Sequence, residues 1–442
     1  MRPRVGVPAV LLLAAFAVAP RAGAQTPPWG RGQITLFGNF SQTKSTDGGP
    51  GSNFSELSAN VSLASKPADD GGFEFGLDAR GSEYPSSDAT TNRLSLYNAW
   101  VGGRTSGGRL GLRVGQMWIN DLGGLGSVGG VNLEVLPFDA TSIGRFRFGL
   151  FGGLEPDLYQ VGYVSGVKKY GGYVALDGEL GWKNVLGYVQ VKDQGVTERS
   201  VVTMLNFIPI GRDFFLYQAA EYDLSAPGGA GGGGGRLTYI FVNARLRATP
   251  WLEFQGMYHH GISIDTRSIA QDVLNGRPTD PRTLEGFLYG SIGGRVTIEP
   301  IRGIRVWGGY SQEQSSFAGG TYPRYQAGIY LFNLLGSGFD ITASDYRYNQ
   351  PSTGSYDSFY ASIGHNIGSR VYLTLDYTTS LSTLSLTGPD GILVQTHPQS
   401  KRYSISGVVN LSRYFSLFLT AEQIRDDTSQ QNRGLVGLSF RF

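Results

Sequence analysis

Apolar and polar positions alternate with a two-residue period along almost the whole chain, most plainly in its last ten residues. From Arg433 to Phe442, the residues Val436, Leu438, Phe440 and Phe442 share one face. Arg433, Gly437, Ser439 and Arg441 share the other, and only Leu435 breaks the pattern. Such a period places successive side chains on opposite faces of a strand, one oily and one wet. The same pattern predicts strands over 92–102, 109–117, 183–192, 236–247, 252–262, 284–298, 303–313, 322–334, 370–379, 401–411 and 414–425. In 370–379, Val371, Leu373, Leu375 and Tyr377 oppose Arg370, Tyr372, Thr374, Asp376 and Thr378; in 414–425, Phe415, Leu417, Leu419 and Ala421 oppose Ser416, Thr420 and Glu422. These lengths are close to the ~9–11 residues that a tilted strand needs to cross a bilayer.

Connections alternate in length. Short ones fall at 66–72, 103–108, 209–212, 249–250, 299–302, 335–338, 368–369 and 412–413. Longer polar ones fall at 42–52, 83–91, 225–235, 263–283, 314–320, 349–355, 381–400 and 426–432. Short turns at one end and longer loops at the other are the arrangement of a membrane barrel. The expected fold is therefore all-β: an antiparallel transmembrane β-barrel of about 22 strands, with 18–22 allowed because 119–169 threads in two ways. Both termini fall at the short-turn end. A soluble sandwich or propeller predicts buried tryptophans and a shorter repeat, and no fixed blade length recurs here.

A final amphipathic strand closing on an aromatic resembles the terminal strand by which bacterial outer-membrane β-barrels are recognised for insertion. The resemblance covers the chain from residue 25 onward, porin-like in build, and no motif selects a particular family. It implies integral placement in the outer membrane and Phe440 and Phe442 as the insertion signal. Its implied partners are outer-membrane lipids and, during insertion, the barrel-assembly machinery. Residues 1–24 read as a secretory leader, with Arg2 and Arg4, an apolar stretch over 5–19 and Ala22-Gly23-Ala24 before the cleavage point. The barrel is expected over 25–442. About eight residues separate cleavage from the first alternating segment, 33–41, too few for the plug of TonB-dependent transporters.

Composition sharpens this picture. No later apolar run approaches the ~20 residues of a membrane helix, so embedding must be through strands. Glycine supplies 66 residues and aromatics 12%, while charged residues are 16% against roughly 25% in soluble domains. Mean hydropathy is only −0.14 because half of every strand faces water. The absence of cysteine removes disulfides, thiolate catalysis, Fe–S clusters and covalent haem attachment. Taking the leader's three arginines from 37 basic residues, against 35 acidic ones, gives a mature net charge of −1, with no footprint for nucleic acid.

Candidate chemistry is sparse. Residues 124–129 match G-x-G-x-x-G, but another alternating strand follows instead of the helix that a dinucleotide site requires. The better reading is a glycine-rich loop, able to fold into the lumen and narrow it as the inward loop of general porins does. His259 and His260 are neighbours on a strand and point to opposite faces, so they do not clasp one metal. His260 with Asp265, or His365 with Ser369, are the nearest approaches to a hydrolase pair and match no motif. The run 231–235 is a low-complexity loop, and 263–283 carries acids without Ca²⁺-loop spacing.

By parity the pore lining comprises Arg245, Arg247, Glu253, Glu285, Arg295, Arg305, Glu313, Arg324, Arg370, Asp376, Arg402, Glu422 and Arg441, interleaved with Tyr289, Tyr330 and Tyr372. Basic residues outnumber acidic ones in this set eight to five, which leans toward anions. The function read from this is passive diffusion of small hydrophilic solutes or ions through a plug-free outer-membrane channel. The alternative is a sheath or scaffold in an envelope export or electron-transfer complex, its lumen holding a periplasmic partner protein; an outer-membrane hydrolase stands third. No cofactor, metal ligand or catalytic residue is expected.

Overall fold

In the computed structural model the chain forms one antiparallel sheet rolled shut. The structure describes residues 30–67, 71–85, 90–138, 141–157, 160–178, 181–225, 235–278, 283, 285–316, 319–350, 354–387 and 393–442. The leader expected over 1–24 and most of the glycine run 231–235 lie outside them. Every strand pairs with its neighbours in sequence, from Gly30–Ser45 against Ser52–Ser65 to Phe415–Asp426 against Ser429–Arg441. The last strand then pairs with the first in unbroken register, from Gln33↔Arg441 to Ser45↔Ser429. Phe442 completes the seam: its N–H donates to the Gly32 carbonyl at 3.0 Å, and the Gly32 N–H donates to its carbonyl at 2.9 Å.

Among the described residues this seam leaves no free edge strand around the barrel, the condition for a sheet to stand in hydrocarbon. The 23 hydrogen-bonded segments make 22 staves, because Leu393–Thr396 and Gln399–Asn410 both pair with Val371–Thr387. The break between them falls at Pro398, which has no N–H to give the ladder. The ambiguous region resolves into the strands Ser127–Val135, Arg145–Pro156 and Tyr163–Asp177.

Strand ends differ from the sequence reading where local geometry intervenes. The strand expected from 284 begins at Phe287, after Gly286 with φ +71°. The one expected to reach 334 stops at Leu331, two residues before Asn333 turns at φ +45°. The connection expected at 426–432 shrinks to a tight hairpin, in which the Asp426 carboxylate accepts the N–H groups of Thr428 at 3.0 Å and Ser429 at 2.5 Å.

Alternation sorts the side chains into two faces. Leu246, Phe254, Ile292, Leu375, Ile405, Leu419, Val436 and Leu438 are exposed and form the outward belt. The opposite positions face the bore. There, rings on one strand lie across glycines directly opposite: Trp100 on Gly76, Tyr173 on Gly149, Tyr289 on Gly261, Trp307 on Gly328 and Phe418 on Gly437. A Cβ at any of these glycines would collide with the ring. Glycine and aromatic content rise together for this reason: each ring lies flat against the wall because its neighbour has no side chain.

Candidate functional site in the bore

Among the described residues, two segments leave the wall and fold inward, both onto the same strands. The first is the 3-10 turn Asn120–Leu125, which takes in only Gly124 and Leu125 of the stretch 124–129 read from sequence as a lumen-narrowing loop; Ser127 to Gly129 open the strand Ser127–Val135 instead. Its ends are pinned by the Ile119 N–H donating to the Gly126 carbonyl at 2.9 Å, and Gly123 with φ +56° lets it reverse. Leu122, 1% exposed, packs over Gly187, where a Cβ would meet its side chain. Beneath it lie Val185, Val189 and Val191, joined by Phe151, Val167 and Ala175 in one apolar cluster. Inward-facing valines are dry here because the turn covers them.

The second inward segment is the helix Thr266–Leu274. Asp265 caps it, accepting from the Ser268 N–H at 3.1 Å and hydroxyl at 2.6 Å, and these bonds hold its carboxyl below the usual aspartate range. Ile269 and Ala270 are fully buried, and the helix rests on the strand Val196–Ile210. Arg267 reaches Glu155 at 2.5 Å and Glu198 at 3.1 Å, while the Thr266 hydroxyl donates to Glu198 at 2.8 Å.

A charged network ties the turn to the wall. Arg147 donates to Asp121 at 2.7 Å, Glu134 at 2.8 Å and Asp177 at 2.9 Å. Lys183 also contacts Asp121, Arg104 contacts Glu134, and Arg113 pairs with Glu74 at 3.1 Å. The four cations Arg104, Arg113, Arg147 and Lys183 balance the four acids Glu74, Asp121, Glu134 and Asp177. Beside it Arg199 pairs with Glu221 at 3.2 Å and Asp223 at 2.7 Å. None of these residues entered the sequence-based lining, because the strands carrying many of them lie in or beside the stretch that threaded in two ways.

The residues picked by parity lie mostly on the other wall, and many pair with one another. Arg245 stands 4.0 Å from Glu253, which lies opposite Arg247 in register; Arg324 pairs with Glu313 at 3.1 Å, and Arg402 contacts Glu422. Arg305 takes Glu299 at 2.8 Å, outside the set. Arg295 lies over the Trp307 ring at 4.4 Å and Arg324 over Tyr346 at 4.6 Å. Asp376 accepts from Tyr360 at 2.9 Å and Ser404 at 3.0 Å. Strand parity does not extend to Glu285 or Arg370: Glu285 precedes Phe287–Ile301, and Arg370 sits in the turn before Val371. Arg441 ends the last strand, its N–H donating to the Tyr414 carbonyl at 2.8 Å.

Between the inward turn and helix lies a cavity of about 480 Å³ lined by Asp121, Leu122, Arg199, Tyr217, Tyr239 and Tyr289 among others. His259 faces this side, its ring 4.9 Å from Tyr289 and 5.7 Å from Tyr239. His260 pairs in register with Ile240 on the outward face. The two histidines are thus separated by the wall.

No family profile and no curated protein matches the chain. Among solved structures it is similar to Pseudomonas aeruginosa OpdQ at 9% identity, covering 93% of this chain and 98% of that one, with a TM-score of 0.44. Acinetobacter baumannii OccAB4 gives 10%, 94% and 100% with a TM-score of 0.44, and the outer membrane protein OprD from P. aeruginosa gives 10%, 95% and 96% with 0.42. Likeness at this level carries no weight for function, and the fold stands on its own ladder. A closed antiparallel cylinder of 22 staves with an apolar outer belt is an integral outer-membrane β-barrel, porin-like in build.

Proposed function

We propose that the protein is an outer-membrane channel for passive diffusion of small hydrophilic solutes or ions. The observation that carries this is the size of the bore against what enters it. Strands ~4.8 Å apart and tilted ~40° give 22 staves a backbone radius of roughly 20 Å if the cylinder is round. A side-chain layer of ~5 Å leaves a free radius of about 15 Å. Among the described residues, a six-residue turn and a nine-residue helix enter that space, both resting on one wall. A helix is ~10–12 Å across, so these elements narrow the bore without filling it.

The narrowed passage runs between two unlike walls. The near wall cancels its own charge, whereas on the far wall Arg295, over the Trp307 ring, has no acidic partner among the described residues and stands beside the ion-paired Arg324. This supports a weak anion preference. Purified protein in planar bilayers tests the proposal: large, steady single-channel conductance supports it. Silence from folded barrels that carry a co-purifying periplasmic protein would favour a sheath around a partner instead.

A further inference from the structure

The outward face ends differently at the two ends of the barrel. On Gly30–Ser45 the outward positions run Ile34, Leu36, Gly38, Phe40, Gln42, Lys44 toward the loop end. On Phe415–Asp426 they run Phe415, Leu417, Leu419, Ala421, Gln423, Arg425. On Lys183–Asp193 the last four are Leu186, Tyr188, Gln190 and Lys192. Three strands far apart in sequence thus close their lipid-facing side with an apolar stretch, then an amide, then a cation. At the turn end the outward positions of the same strands, Gly32 and Ile34, Phe415 and Leu417, and Asn184 and Leu186, carry no charge.

Register sharpens this into pairs. Lys401 lies directly opposite Arg425, and Lys168 directly opposite Lys192, all four on the outward parity of exposed Tyr403, Leu419, Val174 and Leu186. Like charges facing each other across a ladder destabilise it. Among the described residues none of the four has an acidic partner. Nearby Asp427 is engaged by the Gln399 N–H at 2.8 Å, and Asp426 by its own hairpin. Below the first pair, Gln423 donates to Asn432 at 3.0 Å and Tyr403 meets Tyr377 at 5.2 Å, the amide and ring layer that marks the rim of an apolar belt.

We infer that this outward cationic collar is a seat for the phosphate groups of lipopolysaccharide in the outer leaflet. Each pair stands just above the apolar belt, so one lipid would engage a pair with its headgroup and the belt with its acyl chains. Each pair presents two cations that lack an anion and whose mutual repulsion a phosphate would relieve. The one-sided placement also matches the one leaflet in which this anionic lipid resides. The inference rests on outer-membrane placement and is independent of conduction.

Full-length barrels folded in detergent are titrated with bisphosphorylated lipid A and with dephosphorylated lipid A, with bound lipid read by native mass spectrometry. The wild type should prefer the phosphorylated lipid. K401Q/R425Q and K168Q/K192Q should each lose about fivefold in its affinity per cation removed, with binding of the dephosphorylated lipid unchanged. The swap K401R/R425K should retain binding, which keeps the test decisive if a charge-removing variant fails to fold. Equal wild-type binding of the two lipids overturns the proposal. So does undiminished binding by variants that still shift mobility on boiling, or complete displacement by equimolar inorganic phosphate. Conductance should not change, so failure of the channel proposal would be seen separately.

Discussion

Releasing the inward turn should widen the bore by an amount that the geometry sets. The perturbation is D121A/L122A. Asp121 is 5% exposed and holds the turn through Arg147 and Lys183. Its loss leaves Arg147 with Glu134 and Asp177, so the cost falls near the lower end for breaking a buried ion pair, about 3 kcal/mol. Truncating Leu122, 1% exposed, removes about 2–3 kcal/mol more. Together about 5 kcal/mol of anchoring is lost, while the strand ladder is untouched and the boiling-dependent mobility shift should persist. A free radius of ~15 Å gives a cross-section of about 700 Å², and an element ~11 Å across occupies about an eighth of it. Single-channel conductance should therefore rise by roughly an eighth, with more open-state noise. An unchanged mean would show that the turn does not obstruct the bore. A several-fold rise would show that it closes the bore almost completely, and either result would sink the proposed geometry.

Three further outcomes follow from the same structure. G32L would drive a side chain into the Phe442 ring at the seam; the fraction of protein showing the folded mobility should fall sharply, whereas a leucine at half-buried Gly434, whose Cβ would meet nothing, should fold. R295Q/R324Q should move the zero-current potential in a salt gradient toward cation preference; no movement would remove the far wall from selectivity. The Asp265 carboxyl is depressed below its ordinary 3.8, so its contribution to the helix is complete above the unfolded value of ~3.9 and is lost as pH falls through the lower folded value. Exchange of the Ser268 amide should thus be insensitive to the cap's protonation from pH 7 to about pH 5. D265A should speed it by about fivefold, corresponding to ~1 kcal/mol, and D265N should largely spare it.

The wall was legible because one rule, alternation, governs it and closure merely repeats the rule around a circle. The pairing of Lys401 with Arg425, or of Arg324 with Glu313, required register, which depends on where each hairpin turns and shifts with one residue of slip. Gly286 and Asn333 set two such boundaries through backbone angles that the alternation does not encode. The helix Thr266–Leu274 lies in a stretch whose polarity reads as loop, although Asp265 before it and the apolar Ile269, Ala270 and Val273 on one side are a capped amphipathic signal. Nine residues do not hold a helix alone; this one exists because the bore wall receives Ile269 and Ala270. The network around Arg147 was hidden for a related reason, since its partners come together only once the turn has folded inward.

The position of the inward elements nevertheless leaves a trace in the sequence. A barrel wall wets its inner face, so a spanning strand should be oily on one side only. Lys183–Asp193 is oily on both, with Leu186 and Tyr188 outward and Val185, Val189 and Val191 inward. Inward valines in a water-filled cylinder would forfeit their burial energy, so something must cover them, and Leu122 does. The trace can be tested against its mirror position. V189N should bury an amide with no partner beneath the turn, costing about 1–3 kcal/mol and raising open-state noise as D121A/L122A does. L186N faces hydrocarbon instead, and should lower the yield of inserted barrel while leaving the noise of those that insert unchanged. Equal noise from the two variants would mean that the doubly oily strand marks the barrel's general stability rather than the seat of its constriction.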